Sequence, residues 1–201
     1  MRDLVLHSIG GGWGTDHPVA GSENVSVVRG ADFPEVSVGQ IENVPTRWEK
    51  TSKLESRVLR ADDIILESSG GTNERPTGRT LLAKASLLEQ FGKPVIPASF
   101  CRLVRIDPSK ANPRFVYWWL QDMHAQGRTW RYQNRSTGIA NFQFEHFLDT
   151  EVVALPDRKI QQEIASILGA LDDKIESNHR KMRIMEELGE ATLASSLGIS
   201  R

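Results

Sequence analysis

One cysteine, Cys101, stands in 201 residues, so no internal disulfide can form. That usage fits a reducing cytoplasm, the expected location. No apolar run approaches the ~18 residues that a membrane span needs, so no membrane association is expected. The opening MRDLVLHSIGGGWG carries Asp3 and no apolar core segment, unlike a secretory signal. Signs of catalysis are equally sparse. His7, His17, His124, His146 and His179 show no metal-ligand spacing, and HExxH and GxSxG do not occur. The glycines of Gly10, Gly11, Gly12 and Gly14 are followed by no Lys-Ser/Thr pair, and no GxGxxG follows a strand. No cofactor and no metal are therefore expected. Asp62, Asp63 and Glu67 have the chemistry of a metal-dependent nuclease cluster, but the downstream lysine is missing. An Asp-Asp pair ahead of a strand reads more simply as a turn.

Acidic side chains are also missing from one stretch. The net charge of −1 hides a segregation: residues 1–67 hold 7 basic and 11 acidic side chains, whereas residues 102–144 hold 7 and 2. From Met123 to Phe144 there is no acid, while Arg128, Arg131 and Arg135 all fall there. Such a local cationic segment suits a polyanion even in a near-neutral chain; an ordinary solvated surface is the other reading.

Apolar residues at 39% and charged residues at 25% are those of a globular chain. Alternation predicts strands at Val25 to Val28, at Val36 to Ile41 and at Asp63 to Leu66, punctuated by Gly and Pro. Residues 71–80 read as a polar loop, Leu81 to Phe91 as strand or helix, and residues 95–107 as paired strands. Asn112 and Pro113 open a helix that Gly127 ends. Trp118 and Trp119 on it are expected in the core. Residues 127–141 read as a long polar, basic loop, and Phe142 to Val153 returns to compact structure. The fold class is α+β: a mixed unit over residues 1–155, then a long helix over 156–201, with Pro156 at the boundary.

That helix has heptad spacing. Ile164, Leu171, Asn178 and Met185 fall seven apart, as do Leu168, Ile175 and Met182, and the two series interleave as a coiled-coil seam. Asn178 in the seam costs stability and tends to fix register. A stripe so narrow predicts a projecting helix that seeks a partner helix rather than a core.

The segment 133-QNRSTGIANFQFEHFLDTEVVALPDRKIQQEIASILGALDDKIESN-178 resembles the end of a target recognition domain and the helix that follows it in type I restriction–modification specificity (S) subunits. The likeness rests on the order of elements: Gly138, Ile139, Asn141 and Phe142, then Leu155 and Pro156, then Gln161, Gln162, Glu163 and Ile164, then Ile167, Leu168, Leu171, Asp172 and Ile175. GGGWGT, Val28 to Asp32, and Ala61 to Ile65 followed by Gly70 and Gly71 are similar to the start of such domains. Family members usually carry two recognition domains and two helices; this chain has one of each, like a half-subunit. The resemblance implies a non-catalytic subunit that binds double-stranded DNA. Its helix, through Ile164, Leu168, Leu171, Ile175, Asn178, Met182 and Met185, would pair antiparallel with a second copy and dock methyltransferase (M) and restriction (R) subunits. Two homodimerised copies would read a bipartite palindrome.

For DNA reading the suitable donors and acceptors lie in two loops. One supplies Arg128, Arg131, Gln133, Asn134, Arg135 and Thr137; the other supplies Ser69, Thr72, Asn73, Arg75 and Arg79. A coiled-coil assembly protein without DNA binding is the alternative, and it gives no reason for the acid-free stretch. A small nuclease or methyltransferase is the second alternative.

Overall fold

Alternation along the central strands fills two cores at once. The computed structural model describes residues 1–72, 74–135 and 139–196. A four-stranded antiparallel sheet runs in the order β1 (Val5–Gly10), β8 (Cys101–Ile106), β4 (Ile64–Glu67), β6 (Thr80–Leu82). In β4, Ile64 and Leu66 point into one core with Phe115, Leu120, Met123 and Phe147. Ile65 points into the other, with Phe33, Leu87, Phe91 and Leu103. Period-two side chains on a sheet covered on both faces leave almost no polar position, which is why β4 is apolar from Ile64 to Leu66.

Two small sheets flank this layer. In one, β2 (Ser22–Val28) pairs antiparallel with β3 (Thr46–Lys50) and parallel with β7 (Val95–Pro97). In the other, β10 (Ala140–Phe142) lies between β5 (Ser69–Gly71) and β9 (Gln133–Arg135). Short helices α1 (Phe33–Ser37), α2 (Thr51–Arg57), α3 (Ala85–Phe91) and α5 (Phe144–Thr150) join the strands. The longer α4 (Pro113–Ala125) has proline in its first turn and Asn112 as its cap. The Asn112 side chain accepts hydrogen bonds from the Arg114 and Phe115 backbone N–H groups, two donors that a helix start otherwise leaves unmet. Trp118 and Trp119 pack half-buried against the first core, as expected.

Several expectations are corrected. Val36 lies in the turn of α1, not in a strand: Pro34 suits a first helical turn, and Phe33 and Val36 then share one buried side. The ambiguous stretch from Leu81 is both strand and helix, β6 ending at Leu82 and α3 starting at Ala85. Residues 95–107 do form two strands, but they hydrogen-bond different neighbours, β7 with β2 and β8 with β1 and β4. The long loop at 127–141 is instead a 3-10 turn, Arg128–Tyr132, followed by β9 and β10.

The last helix, α6, runs Arg158–Ser196. At ~1.5 Å per residue it spans roughly 58 Å. Asp157 caps it, accepting from the Ile160 N–H at 2.9 Å. Its first turns are stitched to α4: buried Gln161 accepts from the Asn112 N–H at 2.8 Å, and Gln162 from the Asn112 side-chain amide at 2.7 Å. Ala165 is buried and Ile164 half-buried in the first core. Farther along, the contact becomes ionic. Lys84 meets Asp172, Asp173 and Glu176 at 2.7, 2.9 and 3.2 Å, and Arg183 meets Glu42 at 3.4 Å. Burial works against the Lys84 charge, but the hydrogen bonds to Asp172 and Asp173 outweigh it and hold the ammonium well above the usual lysine range. The helix therefore lies along the preceding α+β unit on a small and polar face before it runs beyond it. Leu171, Ile175, Met182 and Met185 are turned away and remain 51–69% exposed.

Candidate nucleic-acid interface

The two loops singled out in the sequence are brought together by β10, which hydrogen-bonds the first loop's strand on one side and the second's on the other. Ser69 Oγ donates to Asn141 Oδ1 at 2.6 Å across 72 positions of sequence. The Thr77 N–H donates to Gln133 Oε1 at 2.9 Å. Gly78, at φ +93°, lies where the segments cross; a Cβ there would meet the Phe142 ring at 3.0 Å. His124 adds a further tie, its Nε2 3.3 Å from the Pro76 carbonyl oxygen, and burial pushes its pKa down.

Each loop is also anchored to a buried glutamate. Glu67 takes Arg75 at 3.0 Å and Arg79 at 2.7 Å. Arg79 donates in addition to the Gly30 carbonyl at 2.6 Å, and Arg75 to the Gly70 carbonyl at 3.1 Å. Glu151, the residue after α5, takes Arg128 at 2.6 Å, the Arg131 guanidinium, and the Tyr132 hydroxyl at 2.6 Å. Burial raises the Tyr132 pKa, and its hydrogen bond to Glu151 raises it further; the bond to Glu151 also lifts Arg131. Arg128 lies 5.3 Å over the Trp119 ring and Arg131 4.9 Å over Tyr132. One carboxylate against two guanidiniums leaves each cluster with net charge +1. Within each pair one arginine is more open: Arg131 at 55% against 35% for Arg128, and Arg75 at 34% against 20% for Arg79.

The other expected residues are placed as follows. Ser69 and Gln133 are half-buried and engaged as above. Thr72 is exposed, and its hydroxyl oxygen accepts from the Glu74 and Arg75 N–H groups at 3.2 and 3.0 Å. Asn134 is exposed on the edge strand β9. Asn73, Thr137 and the Arg135 side chain lie outside the described residues. Of the seam residues, Ile164 and Leu168 are half-buried, whereas Leu171, Ile175, Asn178, Met182 and Met185 are exposed. Sequence reasoning missed Glu151 as an organiser. It is the third acid after the acid-free stretch, behind Glu145 and Asp149, so the sequence alone did not single it out.

The candidate nuclease carboxylates are separately engaged: Asp62 with Arg114 at 2.7 Å, Asp63 with Arg105 at 2.6 Å, and Glu67 as described. Asp62, at φ +68°, is the turn residue that the Asp-Asp reading anticipated. Burial pushes the Cys101 thiol up to about 12. Among the described residues no helix is long and apolar enough to cross a membrane.

Comparison with known proteins bears on the same residues. The family model described as the type I restriction modification DNA specificity domain matches residues 28–186. Among solved structures, the chain is similar to the S subunit of a type I restriction-modification system from M. genitalium, with a TM-score of 0.65 at 15% identity. That alignment covers 94% of this chain and 42% of the other, so this chain spans less than half the length of that subunit. No curated protein matches.

Proposed function

This chain belongs to the type I restriction–modification DNA specificity domain family, and from that premise we propose that it is a non-catalytic DNA-reading subunit. It recognises one half-site, pairs with a second copy through α6, and directs methyltransferase and restriction subunits to the site. The recognition unit is residues 1–155 and the pairing and docking unit is residues 156–201. One observation carries the reading: β10 joins two cationic loops, distant in sequence, on one small sheet whose edge strand offers Asn134. Arginines held ready by buried glutamates suit phosphate contact, and amide and hydroxyl side chains suit base edges.

In this reading Arg75, Arg131 and Arg135 take phosphates. Arg79 and Arg128, the more enclosed members of their pairs, orient the loops and add field. Ser69, Thr72, Asn73, Gln133, Asn134 and Thr137 supply base-edge or backbone hydrogen bonds. The test is the salt dependence of duplex binding for the full chain and for the Arg75→Ala, Arg131→Ala and Arg135→Ala variants. Each lost phosphate contact lowers the log–log slope by roughly 0.9. Slopes and affinities identical to wild type in all three variants would reject this surface as the DNA contact.

A further inference from the structure

The glycines between Gly10 and Gly14, which no Lys-Ser/Thr pair follows, have a structural use. A Cβ on Gly11 would lie 2.2 Å from the Ala98 carbonyl oxygen, so a side chain cannot be accommodated without moving backbone. The Gly11 N–H donates to the Cys101 carbonyl and the Gly12 N–H to the Pro97 carbonyl, both at 2.9 Å. This close approach sets Trp13 beside the turn that leads into β8, where Phe100 stands 60% exposed. The turn is held firmly: the Phe100 carbonyl accepts from the N–H groups of Ser68 at 2.8 Å and Ser69 at 3.1 Å. Trp13 and Phe100 thus border one hollow, together with Arg29, Ser69, Arg75 and Arg79.

Three of those residues, Ser69, Arg75 and Arg79, belong to the loop already proposed to meet DNA. The hollow extends that surface with aromatic walls under a guanidinium rim. Arg29, Arg75 and Arg79, set against Asp32 and Glu67, leave a net charge of +1, and Arg47 lies 4.6 Å over the Trp13 ring. A partner that offers negative charge beside a small apolar edge complements such a wall. In the major groove of a duplex the 5-methyl group of thymine is that edge, flanked by phosphates. A phenyl ring on a backbone-locked turn also loses little freedom on binding.

We infer that Phe100 is a sequence-reading residue that makes apolar contact with a thymine methyl group, with Trp13 as the wall behind it. This deepens the DNA-recognition reading and rests on it. Phe100 lies outside both polar loops, so the inference adds a contact of a different chemical kind.

The experiment is enrichment of random duplexes by the full chain, from one pool made with thymine and one made with uracil in its place. The pools differ only in the methyl group. Wild type enriches a motif from the thymine pool and loses about fourfold of its preference at one motif position in the uracil pool, the equivalent of one buried methyl at ~0.8 kcal/mol. Phe100→Ala enriches motifs of equal strength from both pools and keeps the remaining positions. Its melting temperature matches wild type, because the ring is mostly exposed. Equal enrichment of both pools by wild type, or uniform loss of the whole motif in Phe100→Ala, overturns the inference while leaving DNA recognition standing. Failure of wild type to enrich any duplex from either pool overturns the DNA-recognition reading itself.

Discussion

Glu151 is where a single substitution separates stability from DNA contact. Its buried carboxylate holds two guanidiniums and a phenol. Glu151→Gln leaves Arg128 and Arg131 without a counter-charge, but both guanidiniums reach solvent, so the cost is that of the lost charge-assisted hydrogen bonds in the buried hub, about 1–3 kcal/mol. Urea titration measures this directly; a wild-type midpoint and slope would show that the hub contributes nothing. Arg131→Ala is expected to behave differently. Its guanidinium is half-exposed and Glu151 keeps Arg128 and Tyr132, so stability falls by no more than about 1 kcal/mol while duplex binding weakens. The arginines were legible in the sequence because the stretch around them contains no acid. Glu151 was not, since an ion pair is chosen by the fold: the end of α5 turns that carboxylate inward beneath the loop. Trp13 and Phe100 were illegible for the same reason, because only the close approach of Gly11 to Ala98 sets them side by side.

The long helix was the most legible element and also the most revised. Of the residues at heptad spacing, those from Leu171 to Met185 are exposed, whereas Ile164 packs on the first core and Leu168 is half-buried. Spacing could not show that the neighbouring face, through Gln161, Ala165, Asp172 and Glu176, lies against the preceding part of the same chain. Small and acidic residues give no periodic apolar signal, and Lys84 comes from the turn after β6. Two expectations follow for this element. Leu171→Asp with Ile175→Asp changes only exposed positions, so the fold persists and the protein becomes monomeric by light scattering. A wild type already monomeric at high micromolar concentration would refute the pairing. Lys84→Ala leaves Asp172, Asp173 and Glu176 facing one another without their shared cation. The seam is untouched, so self-association persists, but the middle of the helix loosens from the domain. Amide hydrogen exchange should accelerate on α6 around residues 172–183 and not around 161–165, where Gln161 and Asn112 still hold. Equal protection in the variant would show that the ionic contacts do not fix the helix direction.

At the scale of the whole molecule, in the proposed dimer two copies related by a twofold axis would present identical reading surfaces, so the two half-sites are expected to be inverted repeats. In that proposal the helices set the gap between them, which places a constraint on any change of length. A heptad inserted after Leu188 lies beyond both the seam and the docking contacts and leaves the gap unchanged. Inserted after Ile175 it keeps the seam register and the docking of Gln161, Ala165 and Asp172, and gives up the contacts of Glu176 and Arg183. The paired segment then gains ~10 Å, and at ~3.4 Å per base pair the preferred gap grows by roughly three base pairs. Mapping methylated sites with the cognate methyltransferase, for wild type and insertion variant, measures it. An asymmetric wild-type site, or an insertion variant that keeps the original gap, would remove the helix from its role as spacer.

The central sheet is sealed on both faces, whereas the sheet β5–β10–β9 ends in an open edge. Asn134 on that edge is exposed and carries no share of either large core, and the buried glutamates hold the loops from beneath. Its side chain can be exchanged at little cost to folding, unlike that of Gln133, which ties the loops through the Thr77 N–H. If this surface reads DNA as proposed, a lineage carrying this architecture could drift from one target to another through stable intermediates, with the helix unaltered.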